Sequence, residues 1–316
     1  MEKEMIYKSR GFSSCINSAY HLMGDNMKSI IRGTWLPALL VSLFSGIVAT
    51  LYIPSDEILS FGLAHTGLYF TLFYGSVLGI LICYVWLYSR LMSVLNDQPR
   101  PWNFKRVLLT ILYAFLIGFL VGFVVVSAFY LGLRMTGGNP TKFLFDNWLV
   151  VFIVLILMVL ALLPFNYIIM RYLYDKEARF WGDLPKTYKT GLRHLGFIFI
   201  TTLLTSIIVG LIVMVVSLPL NILNIANLLS YGGRQMGDPV TLPGYFLPLF
   251  FFTMFLVTIA LLYVYMFQFI VYLFVYGSIE KSEEERKKMG SPRKEEFPTS
   301  GTFQDKDPHL PLQQLT

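Results

Sequence analysis

The sequence predicts an all-α integral membrane protein, a bundle of six transmembrane helices with amphipathic helices at the membrane surface. Hydrophobic residues make up 55% of the 316 positions and charged residues only 14%, whereas soluble domains carry roughly 25% charged residues. The hydrophobic residues are also gathered into long blocks without charge, and a helix needs about 20 such residues to cross a bilayer. These blocks lack the alternating polarity of barrel strands. Because unpaired backbone groups are too costly in lipid, the blocks are expected to be helices.

Six blocks that contain no Asp, Glu, Lys, Arg or His are the predicted spans. They cover residues 35–53, 68–89, 107–131, 148–170, 197–218 and 245–276. The first block is as long as a true span and no small-residue cleavage site follows it, so we expect a retained helix and no removable signal peptide. The sixth block is longer than a bilayer requires, which predicts a tilted helix or an interfacial start near Pro248. The chain thus divides into a lead segment at 1–34, a six-helix transmembrane domain at 35–276 and a tail at 277–316.

Basic residues lie almost entirely on one side of the predicted spans. The N-terminal segment, the second and fourth connecting segments and the tail carry 22 of the 25 Lys and Arg residues, and the other three segments carry three. The positive-inside rule places the basic side, and with it both termini, in the cytoplasm. The net charge of +6 therefore predicts contact with the headgroups of anionic lipids. The sequence has no basic domain that would lie along a duplex, so nucleic acid is not an expected partner.

Helical spacing of apolar residues marks amphipathic segments outside the six blocks. In the lead segment the apolar positions are Ile16, Tyr20, Met23, Met27, Ile30 and Ile31. They predict a helix that lies in the membrane surface and runs into the first span. The segment 171–194 is interpreted in the same way, and 222–229 predicts a short surface helix ended by Gly232 and Gly233. The tail from Lys281 onward has too few apolar residues to bury and is predicted to be disordered.

A faint internal repeat accompanies the spans. Each odd-numbered span follows a pair of basic residues, and each pair of spans then forms a hairpin. The basic pairs are Lys28 and Arg32, Lys105 and Arg106, and Lys189 and Arg193. A three-fold duplication would give this pattern, and so would positive-inside charge alone.

The amphipathic lead segments, the basic pairs and the hairpins between residues 16 and 276 resemble a loose group of bacterial six-span membrane proteins. They are also similar to the membrane domain that precedes the catalytic domain in some glycerophosphodiester phosphodiesterases. The resemblance implies a six-helix membrane domain in the inner (cytoplasmic) membrane of a bacterium. The sequence carries no such catalytic domain, so the resemblance transfers no activity and no functional residue.

No residues with the spacing of a catalytic, cofactor or metal site are found. The four histidines, His21, His65, His194 and His309, lie in four segments without paired spacing, so a shared metal site is not expected. Cys15 and Cys83 are predicted to be free thiols because disulfides are rare on the cytosolic side. No phosphate loop, nucleophile elbow or Cys-x-x-Cys pair occurs. We therefore predict a protein that is not an enzyme and has no cofactor.

Two carboxamides form a predicted polar pair within the spans. Asn166 lies in the fourth block and Gln268 in the sixth, each in the last third of a helix that heads for the cytoplasm. Because an amide that faces acyl chains is costly, both side chains are predicted to point into the bundle. One interpretation is interhelical hydrogen bonding, and the alternative is a polar cavity that holds a ligand.

Small residues recur at four-residue spacing within the blocks. Examples are Ser42 with Gly46, Gly75 with Gly79, and Gly118 with Gly122. Such pairs let helices approach closely, either within the bundle or across an interface with a partner.

Three functions stay open. The first is a non-enzymatic protein that packs with lipids, with another membrane protein or with a second copy of itself. The second is a transporter or permease component for a small molecule or lipid, which Pro164 and Pro219 favour and the lack of ionisable residues in the spans opposes. The third is a membrane-embedded enzyme, which the absence of a catalytic motif disfavours.

Overall fold

The computed structural model describes residues 3–53, 55–96, 98–135, 140–237 and 242–290, and this part of the chain is all-α without a strand. Six of its helices are long and apolar enough to cross a membrane, which confirms the predicted six-span bundle. The helices are α1 (Lys3–Ile6), α2 (Phe12–Tyr52), α3 (Asp56–Ala64), α4 (Thr66–Leu95), α5 (Arg100–Met135), α6 (Pro140–Leu162), α7 (Pro164–Tyr174), α8 (Phe180–Arg193), α9 (Leu195–Gln235) and α10 (Phe246–Gly290).

The fourth predicted span is formed by two helices, α6 and α7, which meet at Leu163. Pro164 begins α7 because its nitrogen has no hydrogen to donate and its ring crowds the preceding turn. Leu163 itself keeps helical dihedral angles, so α7 continues the path of the span after the proline. α8 packs closely at this point, since a Cβ on Gly191 would lie 2.9 Å from the Cβ of Pro164.

The lead segment and the first span form one continuous helix, α2, of 41 residues. At about 1.5 Å per residue this helix is roughly twice as long as the hydrocarbon layer is thick. Cys15, Ala19 and Leu22 are buried within the bundle, while Tyr20 is 68% exposed. The predicted helix that runs from the lead segment into the first span is thus present in the structure. Its small and apolar inner face packs inward, and only part of the predicted apolar stripe remains exposed.

The core lies where α2 packs between α4 and α10. Many of its fully buried side chains come from α4 and α10, and they include Leu87, Leu91, Met266, Ile270, Leu273 and Phe274. α5 and α6 lie at the periphery, where large side chains such as Phe115 and Phe123 are exposed. In a membrane these apolar surfaces are available to lipid.

Two of the small-residue pairs contribute to close helix contacts. A Cβ on Gly46 would lie 2.8 Å from the ring of Phe251, and one on Gly79 would lie 2.8 Å from the ring of Phe44. The glycines thus let α10 approach α2 and let α2 approach α4. Gly118 and Gly122 on α5 have no neighbouring atom within 4 Å of such a Cβ.

Two helices run further than the sequence predicted. α9 continues through Pro219 to Gln235, so 222–229 is part of a long helix and not a separate surface helix. The chain leaves α9 at Gly237, whose φ of 92° is favourable only for glycine. α10 continues to Gly290, so the predicted boundary between the transmembrane domain and the tail at 277 falls inside a helix. Residues 291–316 of the predicted tail lie outside the described part of the chain.

The connecting segments that are rich in Lys and Arg meet at one end of the bundle. The backbone N–H of Arg10 donates to Ser278, the side chain of Arg106 reaches the carbonyl oxygen of Asp175, and Arg193 contacts Glu283. We call this end, formed by the N-terminal segment and the ends of α4, α7 and α10, the basic end. The other end, where α2 finishes and α10 begins, is called the opposite end.

Candidate functional site

Four tyrosines from three parts of the chain form a cluster at the basic end. Tyr276 of α10 is 2% exposed, and its ring lies 6.0 Å from that of Tyr7, 5.9 Å from that of Tyr167 and 6.2 Å from that of Tyr174. The hydroxyl groups of Tyr7 and Tyr276 are 3.2 Å apart and share a hydrogen bond. Burial raises the pKa of Tyr7, although the hydrogen bond to Tyr276 acts in the other direction. Tyr7 is therefore a neutral packing group at cellular pH.

The N-terminal segment is held on α10 by two adjacent small residues. Gly277 lies so close to the backbone oxygen of Ile6 that any Cβ there would overlap it. The hydroxyl of Ser278 accepts a hydrogen bond of 3.0 Å from the Arg10 N–H and donates one of 3.0 Å to the Arg10 carbonyl. Residues 6–10 are thereby fixed to the end of α10.

Glu280 and Glu283 join α10 to the helices α7, α8 and α9. The hydroxyl of Tyr167 donates to Glu280 at 2.7 Å, and Arg171 lies 3.8 Å from the same carboxylate oxygen. Glu283 accepts two hydrogen bonds from Arg193, at 3.0 and 3.1 Å, and lies 2.9 Å from the Nε2 atom of His194. Both carboxylates thus have cationic partners and stabilise the arrangement of the helices.

In this network His194, the one histidine of the fourth connecting segment, has a carboxylate as its partner. His194 contacts Glu283, and no group of three His, Cys, Asp or Glu side chains that could hold a metal ion exists within the described ranges. Cys15 and Cys83 are both buried free thiols.

Two grooves that combine basic and aromatic residues open at the basic end. The first, which we call the α2–α4 groove, has a volume of about 450 Å³. It is lined by Ser29, Arg32, Gly33, Trp35, Leu36, Pro37, Trp86, Arg90, Ser93, Val94 and Arg100. Three of these residues are arginines, and none of those described is acidic.

The arginines of the α2–α4 groove have no hydrogen-bond or ion-pair partner within the described part of the chain. The one contact recorded for them is that of Arg90, whose guanidinium lies 5.9 Å from the centre of the Trp86 ring. The side chains of Arg32 and Arg100 are exposed, and that of Arg90 is half-buried. The groove therefore presents three positive charges that the described residues do not neutralise.

The second groove, the α5–α8 groove, has a volume of about 530 Å³ and is lined by residues that include Trp102, Lys105, Arg106, Tyr113, Arg179 and Trp181. Its central cation is already bound. Arg106 donates to the carbonyl oxygens of Tyr172, Asp175 and Lys176 at the end of α7. Its guanidinium also lies 4.3 Å from the Trp102 ring and 4.6 Å from the Tyr172 ring. Arg106 thus fixes the end of α7, and three of its five N–H groups are used there.

The link between α4 and α5 is fixed by a pair of carboxamides that the sequence did not single out. Asn96 and Asn103 donate to one another's oxygen atoms, each at 3.0 Å, and Asn103 also donates to the hydroxyl of Ser93 at 3.2 Å. Asn103 is 1% exposed. Arg100 lies between these two residues in the chain and lines the same groove as Arg90.

The predicted pair of Asn166 and Gln268 is not joined by a hydrogen bond in the structure. Gln268 donates to the hydroxyl of Tyr272 on its own helix at 2.8 Å. Tyr167, the residue after Asn166, lies against Tyr276. Tyr276 follows Gln268 by eight residues on α10, which is roughly 12 Å along the helix axis. Asn166 and Gln268 are therefore at different levels of the bundle. Both side chains are half-buried. The alternative interpretation, that they line a polar cavity for a ligand, is not tested by these contacts.

A third cavity, at the opposite end, has a different chemistry. It encloses about 440 Å³ between the end of α2, α3 and the start of α4, and Tyr52, Tyr69, Phe70 and Tyr231 contribute to its wall. Tyr69 donates to the carbonyl oxygen of Leu51 at 3.0 Å. None of the described residues that line it is charged.

Comparison with protein families, with curated proteins and with solved structures gave no match. The resemblance to bacterial six-span proteins therefore stays a prediction. What the fold and the helix composition define is the class, an integral membrane protein with six candidate spans.

Proposed function

We propose that this chain is a non-enzymatic membrane protein whose basic end lies in the cytoplasm and associates with anionic lipids of that leaflet. The observation that carries the proposal is the pair of grooves at the basic end, in which arginines and tryptophans line the same surface. Tryptophan is favoured at the level of the headgroups. Basic residues next to an anionic leaflet contribute about 1 kcal/mol each.

The orientation is supported by the way the fold sorts charge. The segments that carry 22 of the 25 Lys and Arg residues have their described parts at the basic end. Lys and Arg mark the cytoplasmic side of membrane proteins when they lie within short loops or near span ends. The inner membrane of a bacterium, which the resemblance implies, is part of this proposal.

A non-enzymatic role is supported by the carboxylates of the basic end, which would be candidates for acid-base chemistry but already have partners within the fold. Glu280 and Glu283 are occupied by Arg171, Arg193 and His194 in contacts between helices. These groups join elements of the fold.

The proposal is tested by lipid analysis of the protein purified in mild detergent from membranes of known composition. We expect the retained lipid to be enriched in anionic phospholipid relative to the bulk membrane. The double variant Arg32→Gln, Arg179→Gln should lower that enrichment, and Arg134→Gln, near the end of α5 that lies away from the basic end, should not. Retained lipid with the composition of the bulk membrane would contradict the proposal. A stoichiometric protein in the same preparation would show that a membrane protein partner accompanies the lipid.

A transporter is the second candidate, and the break at Pro164 favours it. Substrate sites of many transporters are built at interrupted helices, and Pro164 divides the fourth span into α6 and α7. The six predicted blocks contain no ionisable residue, which opposes an ion-coupled mechanism. Purified protein in liposomes that accelerates the flux of a solute or the exchange of lipid between leaflets would favour this alternative.

A further inference from the structure

We infer that the α2–α4 groove binds the phosphate group of one anionic phospholipid, and that Arg32, Arg90 and Arg100 hold this phosphate. The inference rests on the proposed association with anionic lipid and assigns it to one site. The chemistry recognised is a phosphate ester that carries negative charge.

This groove is chosen over the α5–α8 groove because its arginines have more N–H groups available for a ligand. A guanidinium binds phosphate well because its N–H groups match two phosphate oxygens at once. Arg106 in the α5–α8 groove already donates three of its five N–H groups to carbonyl oxygens. In the α2–α4 groove, the described residues leave all three guanidinium groups free.

The arginines of the α2–α4 groove come from three helices, and the packing of these helices sets where their backbones lie. Arg32 lies on α2, Arg90 on α4 and Arg100 at the start of α5. α2 and α4 pack closely, with Val94 lying 3.8 Å from a Cβ on Gly33 at the floor of the groove. The mutual hydrogen bonds of Asn96 and Asn103 join the end of α4 to the start of α5, where Arg100 lies. Such preorganisation lowers the ordering cost of binding.

The position of the groove relative to the bilayer favours a lipid over a soluble phosphate. Trp35 is 51% exposed at the start of the first predicted span, as expected of a residue at headgroup level. One or two turns further into the membrane, Leu43 on α2 and Ile82 on α4 are exposed on the faces that carry Leu36 and Trp86. Acyl chains of a lipid whose phosphate lies in the groove would pack along these side chains.

The size of the groove fits this ligand. Its volume of about 450 Å³ lies within the roughly 300–1,000 Å³ of small-molecule sites. The hydroxyl of Ser29 is exposed at the rim and available to a second headgroup oxygen. Ser93 already donates to the carbonyl oxygen of Ser89 at 2.8 Å, so it contributes to the wall of the groove.

The test is a lipid titration of the purified protein, followed by native mass spectrometry. Phosphatidylglycerol and phosphatidylcholine with identical acyl chains are the two probes, and the dissociation constant of the first bound lipid is measured. Both lipids carry the phosphate, but the quaternary ammonium of phosphatidylcholine cancels its net charge and would lie near the three arginines, so we expect phosphatidylglycerol to bind about tenfold more tightly. The groove variant with Arg32→Gln, Arg90→Gln and Arg100→Gln should lose that preference. The control variant with Lys105→Gln, Arg179→Gln and Lys186→Gln removes the same charge from the basic end and should keep it.

The outcomes separate this inference from the proposed function. Equal losses in both variants, or a loss only in the control variant, would overturn the groove assignment and leave association with anionic lipid standing. No preference for phosphatidylglycerol in the wild-type protein would overturn both. Displacement of the lipid by millimolar glycerol 3-phosphate would show that the groove takes a soluble phosphate ester and would overturn the lipid assignment.

A second variant keeps the test decisive if the groove variant fails to fold. Replacing the same three residues by lysine keeps the charge and removes the planar fork of N–H groups. We expect this variant to retain its elution profile and to lose part of the preference for phosphatidylglycerol. An undiminished preference would show that charge alone attracts the lipid, and it would overturn the assigned coordination by guanidinium groups.

Discussion

At the residue scale, the described structure depends on small side chains and on polar groups that meet across long stretches of sequence. Gly277 and Ser278 hold Arg10, which lies 268 residues before Ser278. Arg106 stabilises the end of α7 from α5. The sequence identified the residue types at the basic end but not their partners, because side-chain pairing between distant segments leaves no periodic signal. A glycine and a serine directly after the last apolar block were the available hint of the Arg10 contact.

Replacing Gly277 by alanine should destabilise the protein. The new Cβ would overlap the Ile6 backbone, and overpacking of this kind costs about 1–3 kcal/mol. We expect a lower midpoint of thermal unfolding in detergent and faster proteolysis of the N-terminal segment. Gly75→Ala is the matched control because no atom lies within 4 Å of its Cβ position. An unchanged midpoint for Gly277→Ala would show that residues 6–10 are not held on α10.

The carboxamides Asn166 and Gln268 provide a second test at this scale. Gln268→Leu removes the hydrogen bond to Tyr272 of the same helix, and even hydrogen bonds between helices are worth only about 0.6 kcal/mol on average within membranes. We therefore expect a small loss of thermal stability for Gln268→Leu and a similar or smaller loss for Asn166→Leu. Increased stability in both variants would show that the amides face lipid and would contradict their predicted inward orientation.

At the element scale, hydropathy located the spans well because each crossing is a local property of about 20 residues. The same signal misjudged the ends of the helices. α2, α9 and α10 have 41, 41 and 45 residues and extend beyond the apolar blocks. The extensions are amphipathic or charged, and contacts with neighbouring helices stabilise them. Those contacts include the burial of Cys15 and Ala19 in α2 and the ion pair of Glu283 in α10. These contacts arise from tertiary packing, which hydropathy does not report.

The small-residue pairs make a prediction about which helix faces are covered. Gly46→Val should destabilise the protein by about 1–3 kcal/mol, because its side chain would meet the Phe251 ring of α10. Gly122→Val on α5 should leave the unfolding midpoint and the size-exclusion profile unchanged, since its surroundings are open. A shift of the Gly122 variant to a smaller assembly would show instead that the outer face of α5 is an interface with a second copy.

At the scale of the whole molecule, the distribution of charge and the fold agree. The N-terminal segment and the ends of α4, α7 and α10 meet at the basic end, as the grouping of Lys and Arg predicted. Successive spans cross the membrane in opposite directions, so alternate connecting segments lie on the same side. The grouping could therefore be derived without any knowledge of packing. The α2–α4 groove could not be derived in this way, because its arginines come from three helices whose neighbours are set only by the tertiary fold.

The orientation of the basic end is the central claim, since the proposed function and the lipid site both require that it face the anionic leaflet. Reporter fusions that distinguish the cytoplasm from the external side test it most directly. Fusions after Asn96, Asp183 and Glu285 should report the cytoplasm, and fusions after Glu57, Thr141 and Gly237 should report the external side. Two or more reporters on the wrong side would contradict the six-span topology and the proposed position of the basic end.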